Sequence, residues 1–85
     1  MFRVEWIQSA LDDLTRLWLA LDSAGREAIT RATAEIDMEL SDSADTIGEG
    51  RFGNVRVHYV PPLGLSFEAD ATGRLAKIVN VWLVK

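Results

Sequence analysis

The chain has 85 residues, of which 48% are hydrophobic, a formal net charge of −4 and no cysteine. It is large enough for one modest core and too apolar for a disordered chain. The absence of cysteine excludes disulfides, thiolate zinc sites and a cysteine nucleophile, and residues 1–85 read as one staple-free domain suited to a reducing cytoplasm.

Phe2, Val4 and Trp6 alternate with Arg3 and Glu5, the period of a half-buried strand. No long apolar run follows Arg3, so the opening does not read as a signal peptide, and no segment is apolar for long enough to cross a bilayer. Ser9, with Asp12 three places on, is placed to cap a helix. Ala10, Leu11, Leu14, Leu17, Trp18 and Leu21 then form one helical stripe, with Leu19 beside it at an edge or a partner surface.

Asp22-Ser23-Ala24-Gly25 ends that helix and offers a cap for the next. The second stripe is Ala28, Ile29, Ala32, Ile36 and Leu40, with Glu27–Arg31 and Arg31–Glu35 as i,i+4 pairs on the wet side. So short a link predicts an antiparallel helical hairpin, which must cover a sheet to bury both stripes. Ser41 to Asn54 reads as a loop whose glycines serve positive φ; it has no phosphate-loop pattern.

Three strands follow: Arg56–Val60, Leu63–Asp70 and Leu75–Val84. Pro61-Pro62 ends the first of them, and Asp70-Ala71-Thr72-Gly73 is a hairpin loop. The last strand is apolar at nearly every position, as a central or doubly covered strand would be. The predicted fold is α+β in the order β-α-α-β-β-β. A helical hairpin packs on one face of a four-stranded, mainly antiparallel sheet, with the opening strand beside the closing one. Alternation places Arg56, His58 and Trp82 on the face away from the helices.

Residues 1–49 carry four bases and eleven acids, a net −7, whereas residues 50–85 carry five bases and two acids, a net +3. An anionic partner would therefore approach the sheet. His58 is the only histidine, so any imidazole acid–base step falls to it, with Arg56 two residues away for a phosphate. The simpler reading is a half-exposed strand residue beside an arginine. One histidine and scattered carboxylates make no metal site. Trp6 and Trp18 read as core, and Trp82 as a partner anchor or the cover for a second chain.

This order resembles the RelE/ParE superfamily of bacterial type II toxins. The matching features are the Val-Glu-Trp opening strand, Ala10-Leu11-Asp12-Asp13-Leu14, and Ile36-Asp37-Met38-Glu39-Leu40. They continue through a glycine-containing loop to Val55-Arg56-Val57-His58-Tyr59 and Leu65-Ser66-Phe67-Glu68-Ala69-Asp70. The resemblance covers nearly the whole chain and rests on order and spacing. It implies one of two activities. RelE-like members cut messenger RNA in the ribosomal A site without a metal, using basic residues on the sheet and a residue near the C-terminus. ParE-like members inhibit DNA gyrase. A small antitoxin wraps around and neutralises both.

Arg56 and His58 stand where the RelE branch places two bases. Leu63-Gly64-Leu65 replaces that branch's aromatic–arginine pair, and Val84-Lys85 stands where it has bases with a tyrosine or histidine. The acidic net charge also disfavours ribosomal RNA. The reading is a toxin that binds a cellular target, gyrase or the ribosome, and is silenced by a cognate antitoxin. Partner-binding residues would be Arg56, His58 and Trp82. A divergent endoribonuclease using Arg51, Arg56 and His58 is one alternative, and a non-toxic binding module is another. Neither a cofactor nor a membrane is expected, and a homodimer is an alternative cover for the Trp82 face.

Overall fold

The structure, a computed structural model, describes residues 1–84. Its elements are β1 (Arg3–Trp6), α1 (Gln8–Ala20), α2 (Ser23–Ser43), β2 (Glu49–Gly50), β3 (Val55–Val60), β4 (Leu63–Asp70) and β5 (Leu75–Leu83). They build one five-stranded sheet in the order β1-β5-β4-β3-β2. β1 runs parallel to β5, and the other pairs are antiparallel. The expected pairing of first and last strands is thus present. The two-residue β2, inside the segment expected to be loop, makes the fifth strand.

One face of the sheet and both helices share a core. Leu63, Leu65 and Phe67 of β4 are fully buried, with Ile78 and Val81 of β5 and Val60 of β3 beside them. Ile29, Ala32, Ile36 and Leu40 supply the α2 side. Each of these large apolar side chains contributes about 1.5–3 kcal/mol by burial. α1 packs mainly on β5, while α2 touches β1, β3 and α1 to similar and smaller extents. No helix among the described residues is long and apolar enough to cross a membrane.

Helix starts divide between expectation and correction. Asp22 caps α2 as expected, its Oδ1 accepting from the Gly25 N–H at 2.9 Å. Ser9 does not cap α1. The chain leaves β1 with the Ile7 N–H still bonded to the Ile78 carbonyl at 3.1 Å, and the helix begins at Gln8. Ser9 therefore already lies in the first turn. Its hydroxyl donates instead to the Val79 carbonyl at 2.7 Å. Asp12 accepts from Gln8 Nε2 at 2.9 Å rather than completing a capping box. α2 runs to Ser43, beyond the Leu40 end, because Ala44 is fully buried and the Ser41 carbonyl accepts from the Phe2 N–H at 2.8 Å.

Past Ile78, β5 has lost its β1 partner, and α1 covers the free edge. Asp13 Oδ2 accepts from the Val81 N–H at 3.1 Å, and Oδ1 pairs with Arg16. This carboxylate satisfies a strand-edge donor that would otherwise be buried without a partner. The expected ion pairs Glu27–Arg31 and Arg31–Glu35 are not closed. In the β4–β5 turn, the positive φ falls on Arg74 (55°) and not on Gly73, whose N–H donates to Asp70 Oδ1 at 3.0 Å.

Candidate functional site

Cross-strand register decides which side chains share a face. β3 pairs Val60 with Leu63, His58 with Leu65 and Arg56 with Phe67. All three β4 partners are buried beneath the helices. Arg56 and His58 therefore lie on the helix side of the sheet, which corrects their expected place on the open face. Apolar-inward alternation fails on β3 because register is fixed by the stronger Leu63–Leu65–Phe67 row. The polar side chains tolerate that side because partners meet them there.

Arg56 Nε donates to the Ile47 carbonyl at 2.7 Å, and Nη2 donates to that of Gly48 at 3.1 Å. His58 Nε2 lies 2.9 Å from Glu39 Oε1, joining β3 to α2. The His58 side chain is 20% exposed and that of Glu39 33%. Gly48 has a φ of 75°, and a Cβ there would stand 2.5 Å from the Val57 carbonyl oxygen. The loop after α2 thus lies tight on β3, with Arg56 as its strap. Arg51 sits outside this cluster in an exposed pair with Glu49 at 3.1 Å. Phe52 is 76% exposed, and half-buried Ile47 is the loop residue that packs on the core.

Trp82 occupies the open face, opposite Gly64, as Tyr59 does on the other flank. The two rings meet edge-on, with centroids 6.4 Å apart. A Cβ on Gly64 would stand 2.5 Å from Trp82 Nε1, so the glycine makes room for the indole. Arg56, His58 and Trp82 consequently share no surface. The register shift between Ser66 and Phe67 leaves Val79 without a β4 partner. It turns Ile78 to the helix side with Val81.

The helix layer carries a second feature. A cleft of about 370 Å³ lies between α1 and α2, lined by Leu14, Thr15, Trp18, Leu19, Ile29, Thr30 and Thr33. Leu19 is 72% exposed there. Trp18 is 42% exposed, against the expectation that it is core. The reason is the light α1–α2 contact, which leaves this part of the stripe without a covering layer. Arg26 lies over the Trp18 ring at 5.4 Å from its centroid and donates from Nε to the Trp18 carbonyl at 2.8 Å. Trp6 does pack against the core, its Nε1 donating to Asp37 Oδ1 at 2.8 Å. The sequence pointed to this cleft only through Leu19, which lies off the helical stripe.

Two helices on one side of this strand order are the fold of the RelE/ParE toxins. The chromosomal ParDE toxin–antitoxin system from P. aeruginosa superposes with a TM-score of 0.73 at 20% identity, over 100% of this chain and 98% of that one. The isolated E. coli RelE toxin gives 0.63 at 14% identity, over 100% and 86%. The RelBE2 toxin–antitoxin complex of Mycobacterium tuberculosis gives 0.63 at 14% identity, over 96% of each chain. No protein-family model and no curated protein matches the sequence.

Proposed function

We propose that the protein is the toxin of a toxin–antitoxin pair, a single toxin domain over residues 1–85. In this reading it works in the cytoplasm by binding a cellular target, and a cognate antitoxin silences it. The observation that carries this is the end-to-end match to the ParDE structure, over all of this chain and 98% of that one. DNA gyrase is the first candidate target and the ribosome the second.

The polar geometry favours target binding over RNA cleavage. A phosphoryl-transfer site needs cationic groups aimed at the developing charge. Here Arg56 spends Nε and Nη2 on loop carbonyls, and His58 Nε2 meets Glu39. Arg51 pairs with Glu49. These three side chains do not converge on one space.

Induced expression tests the proposal. The expected outcome is growth arrest with accumulating DNA breaks and intact transcripts, relieved by co-expression of a small adjacent reading frame. Discrete cuts within codons, mapped by primer extension, would transfer the assignment to an endoribonuclease. Unchanged growth in the absence of any neighbouring gene would leave a non-toxic binding module.

A further inference from the structure

We propose that the Tyr59–Trp82 corner of the open sheet face is a cation–π site for an arginine side chain of a partner protein. That this partner is the cellular target rests on the toxin reading above; the chemistry of the corner does not. Gly64 puts no side chain between the two rings, so the indole settles over it and meets the phenol at an interplanar angle of 82°. The result is a floor and a wall. Trp82 is half-buried and Tyr59 is 52% exposed, so the pair is held from below and open above. Rings already fixed in this way lose little freedom when a guest arrives.

The molecule itself shows which guest such rings accept. Arg26 lies over Trp18 at 5.4 Å and Arg74 over Phe2 at 5.1 Å from the ring centroids. Among the described residues no cation lies over Tyr59 or Trp82. A guanidinium from outside fits that vacancy. It is planar, stacks on an aromatic face, and finds in indole the best cation–π acceptor among the side chains.

The charges of the open face suit a cationic guest better than an anionic one. Cross-strand register places Arg3, Glu5, Glu49, Glu68, Asp70 and Lys77 on this face. Arg3 is paired with Glu5 at 3.2 Å and Glu49 with Arg51 at 3.1 Å. Lys77 stands between Glu5 and Glu68 across the strands. Each cation thus has a carboxylate beside it, and Asp70 is left over. Arg56, turned to the helix side, adds nothing here. A nucleic acid would stack its bases on the corner but find no unmatched cation for its phosphates. A second copy would bring the same net charge of −4 against this face.

A blocked glycine–arginine–glycine peptide and its citrulline counterpart are the probes, since citrulline keeps the planar head and loses the charge. Each is titrated into the full chain and followed by NMR. The arginine peptide should shift the Trp82 indole N–H and the Tyr59 and Gly64 amides. It should bind about fivefold more tightly than the citrulline peptide, the size of one cation–π contact. Tyr59→Leu keeps an apolar wall without a π face and should shrink that ratio to about twofold. Trp82→Leu, read at the Tyr59 and Gly64 amides, should abolish it.

Equal affinities for the two peptides, or shifts at Trp18 without shifts at Trp82, would overturn the proposal. So would a short oligothymidylate that moves the same signals at lower concentration than the arginine peptide, which would give the corner to a nucleic acid. A self-dimer in sedimentation that Tyr59→Leu dissolves would give it to a second copy and overturn it as well. The growth assay stands apart from these outcomes. Arginine selectivity without growth arrest would remove the toxin reading and leave the corner assigned; arrest without arginine selectivity would do the reverse.

Discussion

Gly64 is the tightest point of the open face. The Trp82 indole lies over its Cα, and the approach of 2.5 Å to a built Cβ cannot be relieved by swinging a flexible chain end. Gly64→Ala should therefore cost about 1–3 kcal/mol in urea unfolding, as overpacking does. In a Trp82→Ala background the same change should cost far less, and the double-mutant cycle would report that coupling directly. Asp13 presents the opposite case, a missing partner rather than an excess atom. Its side chain is only 16% exposed and accepts from the Val81 N–H. Asp13→Ala leaves that strand-edge donor without an acceptor and should destabilise by about 1–3 kcal/mol. Asp13→Asn keeps an acceptor at the same place and should lose clearly less, as read from the shift in denaturation midpoint at unchanged slope.

At the scale of elements, the segment after α2 is held less by its own burial than by Arg56. Two of its carbonyls, Ile47 and Gly48, accept from that guanidinium. Arg56→Ala should speed amide exchange at residues 46–50 well before it affects β4, whereas exchange at Leu65 and Phe67 should follow global unfolding. Equal acceleration at both sites would show that Arg56 supports the whole sheet. The same residue explains why part of the site was illegible in the sequence. The α2 stripe, the Asp22 cap, the meander and the β1–β5 pairing all follow from periodicity and turn chemistry, and they stand in the structure. The face of Arg56 and His58 does not follow from those signals. In Val55-Arg56-Val57-His58-Tyr59 local alternation points one way, while the register against Leu63-Gly64-Leu65 points the other and prevails. Val60, apolar and in phase with His58, was the one local hint. The β5 bulge was equally hidden, because Ile78, Val79 and Val81 are all apolar and a slipped phase leaves no polar residue out of place.

For the whole molecule, the division of labour follows from how the helices are spread. α1 serves as a cover for the β5 edge and α2 as a lid over the sheet, so the space between them is left as a cleft. A chain of this size has stability on the order of 4–13 kcal/mol, so a change of one or two kcal/mol is a large relative difference. Leu19→Ser tests whether the cleft wall contributes to the fold. With Leu19 72% exposed, the free protein should melt within about 0.5 kcal/mol of the parent. A variant that lowered the melting point of the free protein by several degrees would show that Leu19 already supports the fold.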